Sequence, residues 1–298
     1  MSKKFDVSQF DSYIKTLKLQ NGETLAYEDF NNEKSKVMIL IHTNASSSYI
    51  WFPLIQQLIE SDFRIIALDL RGFGRSSYNK RCEKIKDWAD DVVDFIHQLK
   101  FPQSIFIGLS FGGAVVQQIL VHYPNIVKKA ILISSLSLSG YPIMSNGKRS
   151  QTMEQVKQNQ FVQEIESYIL KQDFKGMSNI LNKYILNGSY EVDISKQLDK
   201  RLVDEMLLQK CYMDCNYSMT TYDISDKGNN EYKKIQTNIL FIHGENDKMI
   251  SHENAKYNYE LLGKERAQLI TFKGASHIPF FDQPEKISKS IIDFINQI

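Results

Sequence analysis

Cysteine is scarce in this sequence: Cys82, Cys211 and Cys215 are all that 298 residues contain. A set so sparse, and odd in number, suits a reducing compartment better than a disulfide framework. Cys211 and Cys215 are four apart and can share a helix face, but no His or Cys stands beside them at metal-ligand spacing. Helix packing accounts for them, and no metal is expected. An excess of charge is missing too: 36 Lys plus Arg against 35 Asp plus Glu leave a net charge of +1. Such a chain has no long-range field to draw nucleic acid or an anionic membrane surface. No apolar run approaches the length of a membrane span, and the opening Met-Ser-Lys-Lys-Phe-Asp-Val-Ser-Gln holds no apolar signal segment. A cytoplasmic protein is expected. Neither the phosphate-cradling Gly-x-x-x-x-Gly-Lys nor the dinucleotide-binding G-x-G-x-x-G occurs, so no nucleotide cofactor is expected. Internal repeats and low-complexity linkers are likewise absent.

What is present is enough apolar residue, 42% of the chain, to bury a sizeable core in one large α/β domain. Ser12 to Leu19 and Thr24 to Phe30 flank Gln20-Asn21-Gly22-Glu23, and Asn-Gly between strand-like runs predicts a hairpin. Val37 to Ile41 and Ile65 to Leu68 are continuously apolar rather than alternating, which is how strands buried on both faces read. Amphipathic stretches at Trp51 to Ile59 and Trp88 to Leu99, with further strands at Ser104 to Ile107 and Ala130 to Ile133, complete an alternation expected to form a parallel sheet covered by helices.

That alternation stops after Ser134. From about Ser139 to Tyr232 the chain offers helical stretches (Met153 to Gln172, Phe174 to Leu186, Ile194 to Tyr212) and no convincing strand, which predicts an all-helical insertion with an exit hinge near Lys227-Gly228-Asn229-Asn230. It resumes with strands at Ile239 to Ile242 and Gln268 to Phe272 and helices near Asn254 to Leu262 and Pro284 to Ile295. The expected division is a core of residues 1–138 and 233–298 around an insertion of residues 139–232.

One stretch carries chemistry. Ile105 to Leu109 runs as a strand into Ser110, flanked by Gly108 and Gly112, and leaves as a helix that stops at Pro124. This is the strand-turn-helix context of G-x-S-x-G, whose tight turn lifts the serine hydroxyl clear of the sheet and leaves no room for side chains at the glycines. The helix N-terminus aims backbone N–H groups toward the serine, where an oxyanion can be held. Two later strands end in His243-Gly244-Glu245-Asn246-Asp247 and in Lys273-Gly274-Ala275-Ser276-His277. Ligands of open parallel sheets sit beyond the carboxyl ends of the strands, so Ser110, Asp247 and His277 can converge, in the chain order that accompanies this kind of elbow.

Together with His42, Ser46 to Trp51, and Asp69-Leu70-Arg71-Gly72-Phe73-Gly74-Arg75-Ser76, these pieces resemble serine-nucleophile members of the α/β-hydrolase fold with a helical cap. The resemblance covers nearly the whole chain outside the insertion. It implies a mostly parallel sheet flanked by helices, with the insertion acting as a cap that shapes the pocket. It further implies Ser110 as nucleophile, His277 as general base and acid, Asp247 as its orienting partner, and an oxyanion hole with the Phe111 N–H as one donor. The chain departs from the family at the second donor. Where relatives usually carry His-Gly, this sequence has His42-Thr43-Asn44, so Asn44 is the candidate and Thr43 the alternative. A β-branched Thr43 cannot easily adopt φ > 0; either the loop is ordinary there or it is displaced, with the Asn44 side chain as a possible donor.

A serine disfavours the dehalogenases and epoxide hydrolases of the fold, which use a carboxylate nucleophile. The expected activity is hydrolysis of a small carboxylic ester through an acyl-enzyme. Lactone, thioester and carbon-carbon bond hydrolysis, perhydrolysis and a triad-retaining small-molecule receptor remain as alternatives. No cofactor, metal, nucleic acid or membrane span is expected, and the oligomeric state is open. Asp69 and Arg71 are expected to fix a loop, His243 and His252 to serve loop or surface roles, and His97 and His122 to be solvated. Tyr168, Tyr184, Tyr212, Tyr217 and Tyr222 are candidates for lining a pocket.

Overall fold

The computed structural model describes residues 6–297. Met1 to Phe5, on which the reading of the chain's start partly rests, lie outside the described residues. Strands β1 (Ile14–Lys18) and β2 (Thr24–Phe30) pair antiparallel around the Asn21-Gly22 turn, with Lys18 opposite Thr24. Then β3 (Lys36–Ile41), α1 (Phe52–Leu58), β4 (Phe63–Leu68), α2 (Ile85–Gln98), β5 (Ser104–Leu109), α3 (Phe111–His122) and β6 (Val127–Ile133) alternate as the apolar runs imply. The next hundred residues hold a two-residue ladder, β7 (Met144–Ser145) with β8 (Lys148–Arg149). They also hold α4 (Met153–Lys157), α5 (Gln160–Lys171), α6 (Phe174–Ile180), α7 (Gln197–Met206) and α8 (Tyr212–Thr221). The chain closes with β9 (Ile239–Gly244), α9 (His252–Leu262), β10 (Ala267–Phe272), α10 (Pro279–Asp282) and α11 (Pro284–Asn296).

The eight-stranded sheet runs β1-β2-β4-β3-β5-β6-β9-β10, with β2 antiparallel to both its neighbours and every pair from β4 onward parallel. Burial on both faces explains the continuous apolar strands. Met38, Leu40, Ile105, Ile107, Ile131 and Ile133 pack on one side with α1 and α11, while Ile39, Ile41, Phe106, Ala130 and Leu132 pack on the other with α2 and α3. Side chains along a strand alternate between faces, so each run supplies both cores. The segment between β6 and β9 differs from the sequence expectation in detail. Met153 to Gln172 is two helices, because Asn159 accepts from Val162 N at 3.0 Å and starts a new one. Phe174 to Leu186 turns from α-helix into a π-helical turn over Leu181–Ile185. The Ile194 to Tyr212 stretch is helical over Gln197–Met206, with a new helix starting at Tyr212. Among the described residues no helix is long and apolar enough to cross a membrane.

Candidate active site

Ser110 sits between β5 and α3 at φ +52°, ψ −112°, a conformation that costs a non-glycine residue about 1–3 kcal/mol and persists where the surroundings over-determine it. Here the surroundings are tight. Ser110 N–H donates to Ile133 O at 2.9 Å, and a Cβ on Gly112 would stand 2.1 Å from Ile41 O, while one on Gly108 would stand 2.6 Å from Gly112 O. The glycines let α3 approach the end of β3, and that approach fixes the turn. As the first residue of α3, Phe111 has an N–H with no hydrogen-bond acceptor among the described residues.

The loops after β9 and β10 meet because Gly244 faces Ser276 O, where a Cβ would approach to 2.0 Å. Across that junction His277 Nδ1 donates to Asp247 Oδ2 at 2.8 Å, both side chains being almost wholly buried. Since a carboxylate only accepts, the proton is on Nδ1 and Nε2 is left as the basic nitrogen. The Asp247 carboxylate is saturated: Oδ1 takes Met249 N–H at 2.8 Å and Ile250 N–H at 2.9 Å, and His243 Nε2 lies 3.2 Å from Oδ2. Burial pulls the Asp247 pKa up, but the charges and hydrogen bonds of His277 and His243 outweigh it and hold the carboxyl well below the usual range. His243 is thus fully buried against the acid, not a loop or surface residue. The signal was its position inside an apolar strand.

Ser110 and His277 line one cavity of about 240 Å³, without a direct hydrogen bond between them among the described residues. Thr43, Asn44 and Ala45 form part of its wall, as do Ile165, Tyr212 and Met219 from the segment between β6 and β9. Among the described residues no Lys, Arg, Asp or Glu lines it. In the loop after β3, Thr43 keeps an ordinary φ, and the left-handed position falls at Ala45, φ +49°. The Asn44 N–H has no acceptor among the described residues, whereas Ala45 N–H donates to Asn44 Oδ1 at 3.0 Å and to Gln209 Oε1 at 2.9 Å. His42 is pinned as the neutral Nδ1–H form, donating to Thr43 O at 2.7 Å and accepting from Leu70 N–H at 3.0 Å, and burial lowers its pKa.

Asp69 and Arg71 stand outside the cavity and brace loops. Asp69 accepts from Ser48 N at 2.7 Å and Arg75 N at 2.9 Å, and Arg71 forks onto Asp91 at 2.6 and 2.7 Å. Of the five candidate tyrosines Tyr212 alone lines the cavity; Tyr222 instead donates to Gln117 Oε1 at 3.0 Å. Asp282 carries weight that nothing in the sequence marks. Its Oδ2 accepts from the N–H and the hydroxyl of Ser276, both at 2.7 Å. Its Oδ1 accepts from Ser189 N at 2.6 Å and Tyr190 N at 2.8 Å.

A buried Asp–His pair and a serine on a strained elbow, opening on one cavity beyond the carboxyl ends of a parallel sheet, define a class of site as well as a fold. The chain belongs to the alpha/beta hydrolase fold family, whose profile matches residues 36–284. It is 26% identical over 291 residues to the AB hydrolase superfamily protein YisY of Bacillus subtilis, covering 95% of this chain and 98% of that one. It is 25% identical over 285 residues to the bifunctional esterase/perhydrolase DCH of Acinetobacter calcoaceticus, covering 93% and 97%. Among solved structures it is similar to a hydrolase from Pseudomonas aeruginosa PA01, with a TM-score of 0.76 at 18% identity over 95% of this chain and 98% of that one.

Proposed function

We propose that this protein is a serine hydrolase that cleaves carboxylic esters of uncharged, largely apolar acyl groups through an acyl-enzyme. The observation that carries this reading is the buried Asp247–His277 hydrogen bond, with His277 opening onto the same cavity as Ser110. In this reading His277 Nε2 takes the Ser110 proton as Oγ attacks the ester carbonyl carbon. The tetrahedral oxyanion meets the N–H groups of Phe111 and Asn44, which have no other acceptor among the described residues. Protonated His277 then hands its proton to the departing alkoxide, leaving Ser110 acylated, and water activated by His277 releases the acid. Asp247 keeps Nδ1 protonated and stabilises the imidazolium.

Residues 139–232 act in this reading as a cap between two parts of a core, 1–138 and 233–298, because Phe161, Ile165, Ile180, Tyr212 and Met219 supply cavity wall. With no Lys or Arg among the described residues of the lining, a carboxylate or phosphate on the acyl chain would lose its hydration without a counter-charge. The 25% identity to a protein described as an esterase/perhydrolase supports ester chemistry.

The test is release of p-nitrophenol from p-nitrophenyl esters, acetate to dodecanoate plus the anionic hemisuccinate, by the parent protein and by Ser110→Ala. The parent is expected to prefer a neutral acyl chain over hemisuccinate at least tenfold in kcat/KM, and Ser110→Ala to lose activity by about 10⁴-fold or more while keeping the parent's Tm. Undiminished hydrolysis by Ser110→Ala would overturn the reading.

A further inference from the structure

The loop after β3 is held by a side chain 164 residues away. Gln209, buried between α7 and α8, grips it with both ends of its amide: Oε1 accepts from Ala45 N–H at 2.9 Å, and Nε2 donates to Asn44 Oδ1 at 2.8 Å. The assignment of both amides is forced. Ala45 N–H is a donor by nature, so the two atoms it meets are oxygens, Asn44 Oδ1 and Gln209 Oε1; the Gln209 nitrogen is then the atom facing Asn44 Oδ1. Asn44 Oδ1 therefore takes two donors, from Ala45 and from Gln209, on the side of the residue away from its nitrogen. The Asn44 Nδ2 group is left with no acceptor among the described residues, on a residue that lines the cavity with Ser110 and His277.

We propose that Asn44 Nδ2 is an oxyanion donor of this site in addition to the backbone N–H groups, and that Gln209 is the positioning residue that turns it there. The proposal rests on Ser110 as the nucleophile. The left-handed turn of this loop falls on Ala45, and the bonds to Ala45 N–H that hold it come from the same Gln209 and Asn44 amides that present the donor. An amide donor already fixed in place acts without reorganisation as charge develops, which is where oxyanion sites gain their effect.

The experiment compares the parent with Asn44→Ala, Gln209→Leu, Gln209→Glu and the double variant Asn44→Ala/Gln209→Leu. Readouts are ester kcat and KM, Tm, the Ki of an aryl trifluoromethyl ketone, and labelling of Ser110 by a fluorophosphonate located by mass spectrometry. Asn44→Ala is expected to lower kcat about 100-fold and weaken the ketone in parallel, with KM within threefold of the parent. Gln209→Leu should lower kcat about tenfold, because a freed amide still visits the right rotamer. Gln209→Glu should fall below Gln209→Leu, since a second oxygen facing Asn44 Oδ1 favours the flipped amide and turns the carbonyl toward the oxyanion. The double variant should be no slower than Asn44→Ala, because Gln209 acts through Asn44. A Gln209→Leu enzyme with the parent's kcat, or a double variant slowed by the product of the single effects, would overturn the proposal while labelled Ser110 leaves the nucleophile in place. Unlabelled Ser110 in the parent would overturn both.

Discussion

Two imidazoles share one carboxylate at Asp247, His277 at 2.8 Å and His243 at 3.2 Å, with two backbone N–H groups on its other oxygen. A carboxyl whose folded pKa lies below its ordinary 3.8 contributes stability that is complete above that value and disappears as pH falls through the lower folded one. Asp247→Asn should therefore melt below the parent at pH 6, with the gap closing as the pH is lowered beneath about 4 in a pH series of thermal melts. In the proposed mechanism the same variant puts a donor opposite His277 Nδ1–H, reverses the tautomer and lowers kcat by roughly 10⁴-fold. A gap in Tm that stayed constant from pH 6 to pH 3 would mean that the imidazoles do not hold the carboxylate charged. At this scale the sequence was partly readable. Asp247 and His277 stand at strand ends in the order that accompanies a serine elbow, and that order is visible in one dimension. Gln209 and Asp282 were not, because a side chain that bonds backbone groups far along the chain leaves no local pattern.

Among the elements, β2 carries an unusual load: Glu28 is fully buried near Asp69, and its Oε2 has no hydrogen-bond partner among the described residues. Burial first, then repulsion from Asp69, pushes its pKa well above the ordinary 4.5. The folded protein thus holds a proton here that the unfolded chain releases, so stability declines as pH rises from 4.5 through the folded value. Glu28→Gln should gain Tm relative to the parent as pH goes from 4 to 8, and an equal difference at both ends would refute the burial argument. The strands themselves were legible for a plain reason: sheets covered on both faces need apolar residues at consecutive positions, and Val37 to Ile41 has them. Helix ends between β6 and β9 were not. Apolar Val162, Ile165 and Ile169 mark α5 by their helical spacing, whereas the polar run from Lys157 to Gln160 before them carries no period, and the capping bond of Asn159 decides where the helix starts.

Across the whole molecule, the segment between β6 and β9 is tied to the loops that carry Asn44, Asp247 and His277. Gln209 holds the loop of Asn44, Asn187 Nδ2 donates to Asn246 O at 2.8 Å beside Asp247, and Asp282 joins Ser189 and Tyr190 to Ser276, next to His277. Lys210 adds a fourth anchor through N–H to Gly72 O at 2.7 Å and Nζ to Ser76 O at 2.8 Å. Removing one of these should loosen both of its ends. In Asp282→Ala, amide hydrogen exchange is expected to quicken about tenfold or more around residues 187–190 and around 275–278 together, with the strands unaffected. Faster exchange confined to one of the two would show that the carboxylate does not couple them.

The anchors and the part of the cavity wall that α5 and α8 supply occupy different stretches of that segment. Asn187, Ser189, Tyr190, Gln209 and Lys210 lie in connections, whereas Phe161, Ile165, Met219 and their neighbours lie on α5 and α8. The two tasks can therefore diverge separately: an evolving lineage, or a mutant library confined to the inward faces of α5 and α8, can reshape the cavity while inheriting unaltered loop anchors.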